Sequence, residues 1–265
     1  MRRQVAKTSL FIMSSLEQRS NPRSRRMYAS PMSVFYHYAN RKQEIPIGRR
    51  AVLQTKKSRE ENQPGDEEGA SEPAGHSTWT LSKVAGATLG SNRGSKVIIV
   101  KMASLAISEI IEVWDQVWND IKTKNRQKKS LCTFSLSSGK KIDPNNLPAQ
   151  RKQQKAQMKV LLDNDVPIVV SAGNHAEKDG GRPDVDTAPG VFEGPDFPLI
   201  VIGNCDSDGK KVSSSQAGPH LTIWAPGNNV PCLDPDPNAK DPTYRTGTSY
   251  CKPTLLSSES SKDEC

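Results

Sequence analysis

Short runs of β-branched residues alternate with segments whose apolar residues recur at spacings of three and four, and this alternation is the strongest constraint on the fold. Lys96 to Met102 reads as a buried strand, followed by Ile107, Ile110, Ile111, Trp114, Val117, Trp118 and Ile121 along one helical face. Leu131 to Ser137 is a second run. It precedes a polar segment led by Pro148, in which Ala156, Val160 and Leu161 are spaced for a helix stripe. Val166 to Val170, Leu199 to Ile202 and Leu221 to Trp224 supply three further runs, each closed by Gly or Pro within a few residues. Strands alternating with helices predict a parallel sheet covered on both faces, with chemistry collected at the carboxyl ends of the strands. No internal repeat accompanies the pattern.

Charge divides the chain. Residues 1–60 hold 14 Lys or Arg against three acids, a balance of +11, while the whole 265-residue chain carries only +8. The remainder is therefore close to neutral, which gives no sign of a nucleic-acid surface. The arm reads as a solvated, disordered tail, although Arg- and Ser-rich composition also fits an organelle transit sequence. Leu10 to Met13 is too short an apolar stretch for a secretory signal. Residues 56–75 are charged and contain Pro and Gly, so they read as a linker, and order is expected to begin near His76. The expected organisation is a basic arm and linker over 1–75, a folded domain over 76–254 and a polar tail over 255–265. No run approaches the length of a membrane-spanning helix. Compartment and oligomeric state are not legible.

Cofactor and metal chemistry find no support in the motifs. Five cysteines form no CxxC pair, His175 and His220 have no acidic or Cys partner at ligand spacing, and the Asp234-x-Asp236-x-Asn238 segment lacks the Gly and Glu of a calcium loop. Gly94-Ser95-Lys96 and Gly209-Lys210-Lys211 fail the phosphate-loop pattern. Neither a metal nor a cofactor is expected.

Three segments do carry side chains suited to acyl transfer. His76, in Gly75-His76-Ser77-Thr78, offers an imidazole as general base. Asn174, in Ser171-Ala172-Gly173-Asn174 after the third strand, could aim a carboxamide N–H at a developing oxyanion. Ser249, in Gly247-Thr248-Ser249, offers a hydroxyl at a helix start. Each alone has an ordinary reading: a surface histidine, a turn asparagine, an N-cap.

Together, from about Gly75 to Thr254, they resemble the subtilisin-like serine proteases, particularly fungal members. Ala-Gly-Asn at 172–174, Ala225-Pro226-Gly227, and Gly247-Thr248-Ser249 with Pro253 carry the likeness. The resemblance implies a three-layer, doubly wound α/β fold, incomplete here at both ends. It implies a serine endopeptidase in which Ser249 attacks a peptide carbonyl, His76 relays the proton, and Asn174 with the Ser249 N–H holds the oxyanion. Ser135, Leu136, Ser137, Ser138 and Gly139 would line the cleft for a peptide or protein substrate, with Ser171, Ala172 and Gly173 opposite.

The resemblance also implies an Asp ending an apolar strand upstream of His76. Only Asp66 precedes His76, in an acidic loop, and the runs Val34 to Tyr38 and Ala51 to Leu53 contain no Asp. Ser77 replaces a Gly, and Lys252 stands where the family places a small residue. These departures predict an impaired enzyme or a non-catalytic peptide-binding relic. A third expectation, from another class, is an adaptor that binds anionic surfaces or RNA through its basic arm.

Overall fold

The computed structural model describes residues 9–15, 50–54, 76–91, 96–102, 105–178, 180–234, 239 and 241–251. Seven strands form one sheet in the order β2-β3-β1-β4-β5-β6-β7, and every pairing in it is parallel. They are β1 (Ser9–Ser15), β2 (Arg50–Gln54), β3 (Lys96–Met102), β4 (Ser130–Phe134), β5 (Ile168–Ser171), β6 (Ile200–Cys205) and β7 (Ile223–Pro226). A separate antiparallel pair joins β8 (Val230–Cys232) to β9 (Thr243–Arg245). Among the described residues three α-helices accompany the sheet: α1 (His76–Ala85), α2 (Ile107–Thr123) and α3 (Ala149–Leu162). The fold is α/β, as the alternation of elements predicts.

Alternation along the strands explains the layers. Ile168 and Val170 of β5, with Val201 of β6, join the core that Val113, Trp114, Val117 and Ile121 of α2 and Met158 and Leu161 of α3 build on one face. Val169 and Ile202 point the other way and pack on Ala225 and Cys251. A strand buried on both faces has no polar side to display, which is why these segments read as continuous apolar runs.

The N-terminal 75 residues do not form a featureless arm. β1 lies inside the sheet, in register with β3 from Ser9 opposite Lys96 to Ser15 opposite Met102, and with β4 from Ser9 opposite Ser130 to Met13 opposite Phe134. β2 pairs with β3 from Arg50 opposite Val97 to Gln54 opposite Lys101. The folded unit therefore begins well before His76. Its boundary was hidden because a parallel strand needs only a few apolar residues, and Leu10 to Met13 and Ala51 to Leu53 are set among cations that dominate the composition. Val34 to Tyr38, Asp66, Lys252, Pro253 and the 255–265 tail lie outside the described residues.

Two boundaries and one helix face also differ from expectation. β4 ends at Phe134, so Ser135 to Ser137 continue past the sheet without strand pairing. In α3 the buried side chains are Gln154, Met158 and Leu161. Ala156 is exposed, and so is Val160, at 38%. A glutamine occupies the core stripe, so counting apolar residues alone rotates the predicted face. The observed face makes a direct prediction. In urea titrations, Met158→Ala should cost about 2–5 kcal/mol, whereas Val160→Ala should stay within about 0.5 kcal/mol.

Candidate active site

The carboxyl ends of β4 and β5 and the turn after β9 converge on one place. β5 finishes at Ser171 and delivers Ala172, Gly173 and Asn174. β9 finishes at Arg245 and delivers Gly247 and a 3₁₀ turn over Thr248–Tyr250. Two hydrogen bonds in opposite senses lock these segments together. The Thr248 N–H donates to Asn174 Oδ1 at 2.9 Å, and the Gly173 N–H donates to Thr248 Oγ1 at 3.3 Å. With its Oδ1 occupied, the exposed Asn174 carboxamide has its Nδ2 hydrogens to offer elsewhere.

Gly247 is required at this junction. Its φ of 156° and ψ of 158° belong to a region that only glycine occupies readily. A Cβ there would meet Tyr250 Cε2 at 3.4 Å and Asn174 Nδ2 at 3.5 Å, ordinary contact distances, so the backbone conformation rather than space calls for glycine.

Ser249 lies second in the 3₁₀ turn and is 9% exposed. Its hydroxyl donates to the Ser135 carbonyl at 3.4 Å, and the Ser135 hydroxyl donates to the Ser249 carbonyl at 3.5 Å. Both bonds are long and correspondingly weak. The nucleophile candidate is thus held beside the segment predicted to line the cleft.

His76 opens α1, and its ring lies 5.9 Å, centroid to centroid, from the ring of Tyr250, the residue after Ser249. Tyr250, Trp79 of α1 and Cys232 of β8 form one apolar cluster. The Arg245 guanidinium sits 3.8 Å above the Trp79 ring, and the Leu233 N–H donates to Ser82 Oγ at 3.0 Å. Aromatic stacking, a cation on an aromatic face and one hydrogen bond therefore bring the histidine helix against the serine turn. His76 itself is buried.

The segment from Ser135 to Gly139 is fastened at its far end. The Ser138 N–H donates to the Ala188 carbonyl at 2.9 Å, and the Gly139 carbonyl accepts from Arg182 Nη1 at 3.0 Å. Leu136 is buried, while Ser137 is partly exposed. Neither Leu136 nor Ser137 has a backbone hydrogen-bond partner among the described residues. The resemblance assigns this stretch to pairing with an extended peptide. Across the site, Ala172 and Gly173 are buried, and Ser171 Oγ is buried without a partner.

Asn174 and Ser249 stand in segments joined through Thr248, and the His76 helix packs near the serine turn, but the residues that hold these segments have no signature in the sequence. Arg182 and Asp186 pair four residues apart, but their bonds to Gly139 and Gln216 span 30 to 43 positions and leave no local signal. Of the strands upstream of His76, β1 adjoins β4, and β4 leads directly to Ser135. β1 ends in Ser14 and Ser15.

A family model for the subtilase family, a class of peptidases, matches residues 47–256. The chain belongs to the subtilase family. Among curated relatives it is 28% identical over 183 residues to subtilisin-like protease 2 of Trichophyton tonsurans, covering 68% of this chain and 38% of that protein. It is 26% identical over 159 residues to an alkaline proteinase of Hapsidospora chrysogena, covering 59% of this chain and 35% of that one. The chain thus spans little more than a third of the length of these relatives. Solved structures share the fold. A cold-adapted subtilisin-like serine proteinase aligns with a TM-score of 0.59 at 16% identity, over 94% of this chain and 72% of that one. A mutant of the protease domain of PatA aligns with a TM-score of 0.61 at 15% identity, over 95% and 78%.

The fastening of the cleft depends on one carboxylate. Arg182 Nε and Nη2 donate to the two oxygens of Asp186 at 2.7 and 2.8 Å, and Gln216 Nε2 donates to Asp186 Oδ1 at 2.8 Å. Burial pushes the Asp186 carboxyl up, but the hydrogen bonds from Arg182 and Gln216 outweigh it and hold the group below its ordinary range. A depressed folded-state value stabilises the fold above the unfolded value of about 4, and that contribution is lost as pH falls through the folded value. Urea midpoints measured across acid pH should therefore fall more steeply for the native protein than for Asp186→Asn. Parallel curves would contradict the assignment.

Proposed function

We propose that this subtilase cleaves peptide bonds in the manner of a serine endopeptidase, at a rate limited because β1 ends in Ser14 and Ser15 where the resemblance calls for a carboxylate. In this reading Ser249 Oγ attacks the scissile carbonyl and His76 takes its proton, later returning it to the leaving amine. The oxyanion accepts hydrogen bonds from Asn174 Nδ2 and the Ser249 N–H. The substrate is a peptide or protein, paired in extended form with Leu136 and Ser137 and flanked by Ser171, Ala172 and Gly173.

The observation that carries this reading is the paired hydrogen bonding between Thr248 and residues 173–174. It sets the Asn174 carboxamide and the serine turn in one frame, which a merely inherited fold has no need to keep.

The end of β1 supports a low turnover. A carboxylate behind the imidazole fixes its tautomer and stabilises the imidazolium, and loss of its charge lowers turnover by about 10⁴. Ser14 and Ser15 cannot supply that charge. This supports a second reading, a peptide-binding relic in which the cleft persists without chemistry.

Labelling by a fluorophosphonate separates the two. Ser249 should react slowly, and reaction should vanish in Ser249→Ala and fall in His76→Ala. No labelling above the Ser249→Ala background would exclude catalysis and leave the binding reading. Placing a carboxylate at the end of β1, as Ser14→Asp or Ser15→Asp, should raise the labelling rate at least tenfold in one of the two variants.

A further inference from the structure

Gln216 is fully buried, and its side chain makes three hydrogen bonds, as many as that of Arg182. Its backbone N–H donates to the Gly173 carbonyl at 3.0 Å. Its Nε2 donates to the Asp184 carbonyl at 2.6 Å, to Asp186 Oδ1 at 2.8 Å and to the Arg182 carbonyl at 3.0 Å. Three acceptors around one amide nitrogen fix which way the carboxamide faces. The oxygen must then turn the other way, beneath Gly173. A Cβ at Gly173, where φ is 110°, would lie 2.1 Å from Gln216 Oε1, so only glycine lets the loop close over this side chain.

That oxygen is buried and has no partner of hydrogen-bonding geometry. Nor has His175 Nδ1, one residue beyond Asn174. The segments that carry them run alongside each other, because the Gln216 N–H donates to the Gly173 carbonyl at 3.0 Å and the Ala176 N–H donates to the Ser214 carbonyl at 3.2 Å. A ring N–H turned toward Oε1 would give each group what it lacks, and buried polar atoms left unpaired are costly.

Through Asp186 the contacts of Gln216 continue to the opposite wall. Arg182 grips both Asp186 oxygens and donates to the Gly139 carbonyl. A single chain of hydrogen bonds thus runs from the Asn174 loop, through Gln216, Asp186 and Arg182, to the end of the Ser135 to Gly139 segment.

We propose that Gln216 is a positioning residue that holds the two walls of the cleft at a fixed separation, and that His175 makes this link responsive to protons. The proposal deepens the peptidase reading and rests on it for its functional meaning. Lys178 and Arg182 face His175 with like charge, and Asp186 faces it with opposite charge. Burial, followed by Lys178 and Arg182, pushes the ring below the ordinary histidine range, against smaller upward pulls from Gln216 and Asp186. The neutral ring is therefore the working form near neutral pH. On acidification a cation arises beside Arg182 and competes with it for Asp186, slackening the tie to Gly139.

The test follows amide and imidazole resonances of the full chain by NMR across pH 4 to 8. The Gly173 and Gly139 amides should shift together with the His175 ring, in one step below about pH 6.5. His175→Phe should abolish that step. His175→Gln, which keeps a donor without a titrating group, should abolish it while preserving the neutral-pH positions of both amides. Amide steps that persist in His175→Phe, or a His175 titration that moves neither glycine, would overturn the link. In a second arm, Gln216→Glu keeps the shape and loses the donor, and fluorophosphonate labelling of Ser249 should slow about 10–100-fold with the circular dichroism spectrum intact. A well-folded Gln216→Glu that labels at the parent rate would refute the positioning role. Absence of labelling in the parent defeats only the peptidase reading, and the glycine titrations then decide the link alone. They also decide it if Gln216→Glu does not fold.

Discussion

The reciprocal hydrogen bonds between Thr248 and residues 173–174 are the constraint on which the site depends. They join positions separated by 74 and 75 residues in sequence, at the end of one buried strand and just beyond another. Thr248 is fully buried, so its N–H and hydroxyl cannot turn to water as an alternative. Leaving either unpaired would cost about 1–3 kcal/mol. The serine turn is consequently tied to the parallel sheet rather than suspended from a loop. Ser249 inherits its position from that tie, and Ser135 approaches it because β4 and β5 are adjacent in register.

What surrounds the tie is a division of labour between apolar and polar contacts. Trp79, Tyr250 and Cys232 bring the histidine helix to the serine turn without fixing the angle of the imidazole. Hydrogen bonds through Asp186, Arg182 and Gln216 connect the Ser135 to Gly139 segment with the Asn174 loop. β1, which adjoins β4, ends in Ser14 and Ser15.

The sequence made some of this legible and concealed the rest for physical reasons. β3 and α2 have the bounds that periodicity predicts, because each buries a complete stripe of large apolar groups. His76, Asn174 and Ser249 stand in short segments whose glycines and order are informative. β1 and β2 escaped because three or four apolar residues suffice for a parallel strand, and a basic background masks so small a signal. α3 was read a fraction of a turn out of phase because Gln154 is fully buried. The hydrogen-bonded chain through Gln216 leaves no local pattern at all. Its members are recognisable only once the sheet has brought them together.

The position of β1 has a further consequence. β3 and β4 share no pairing with each other; each is joined to β1 instead. The strands on either side, β2 with β3 and β4 through β7, are thus two ribbons spliced by one seven-residue segment. Every backbone bond across the splice spans more than 80 residues of chain, so it closes late and at high loop entropy. Integrity of the sheet as a whole, unlike that of either ribbon, rests on a stretch of sequence lying outside the span that identifies the family.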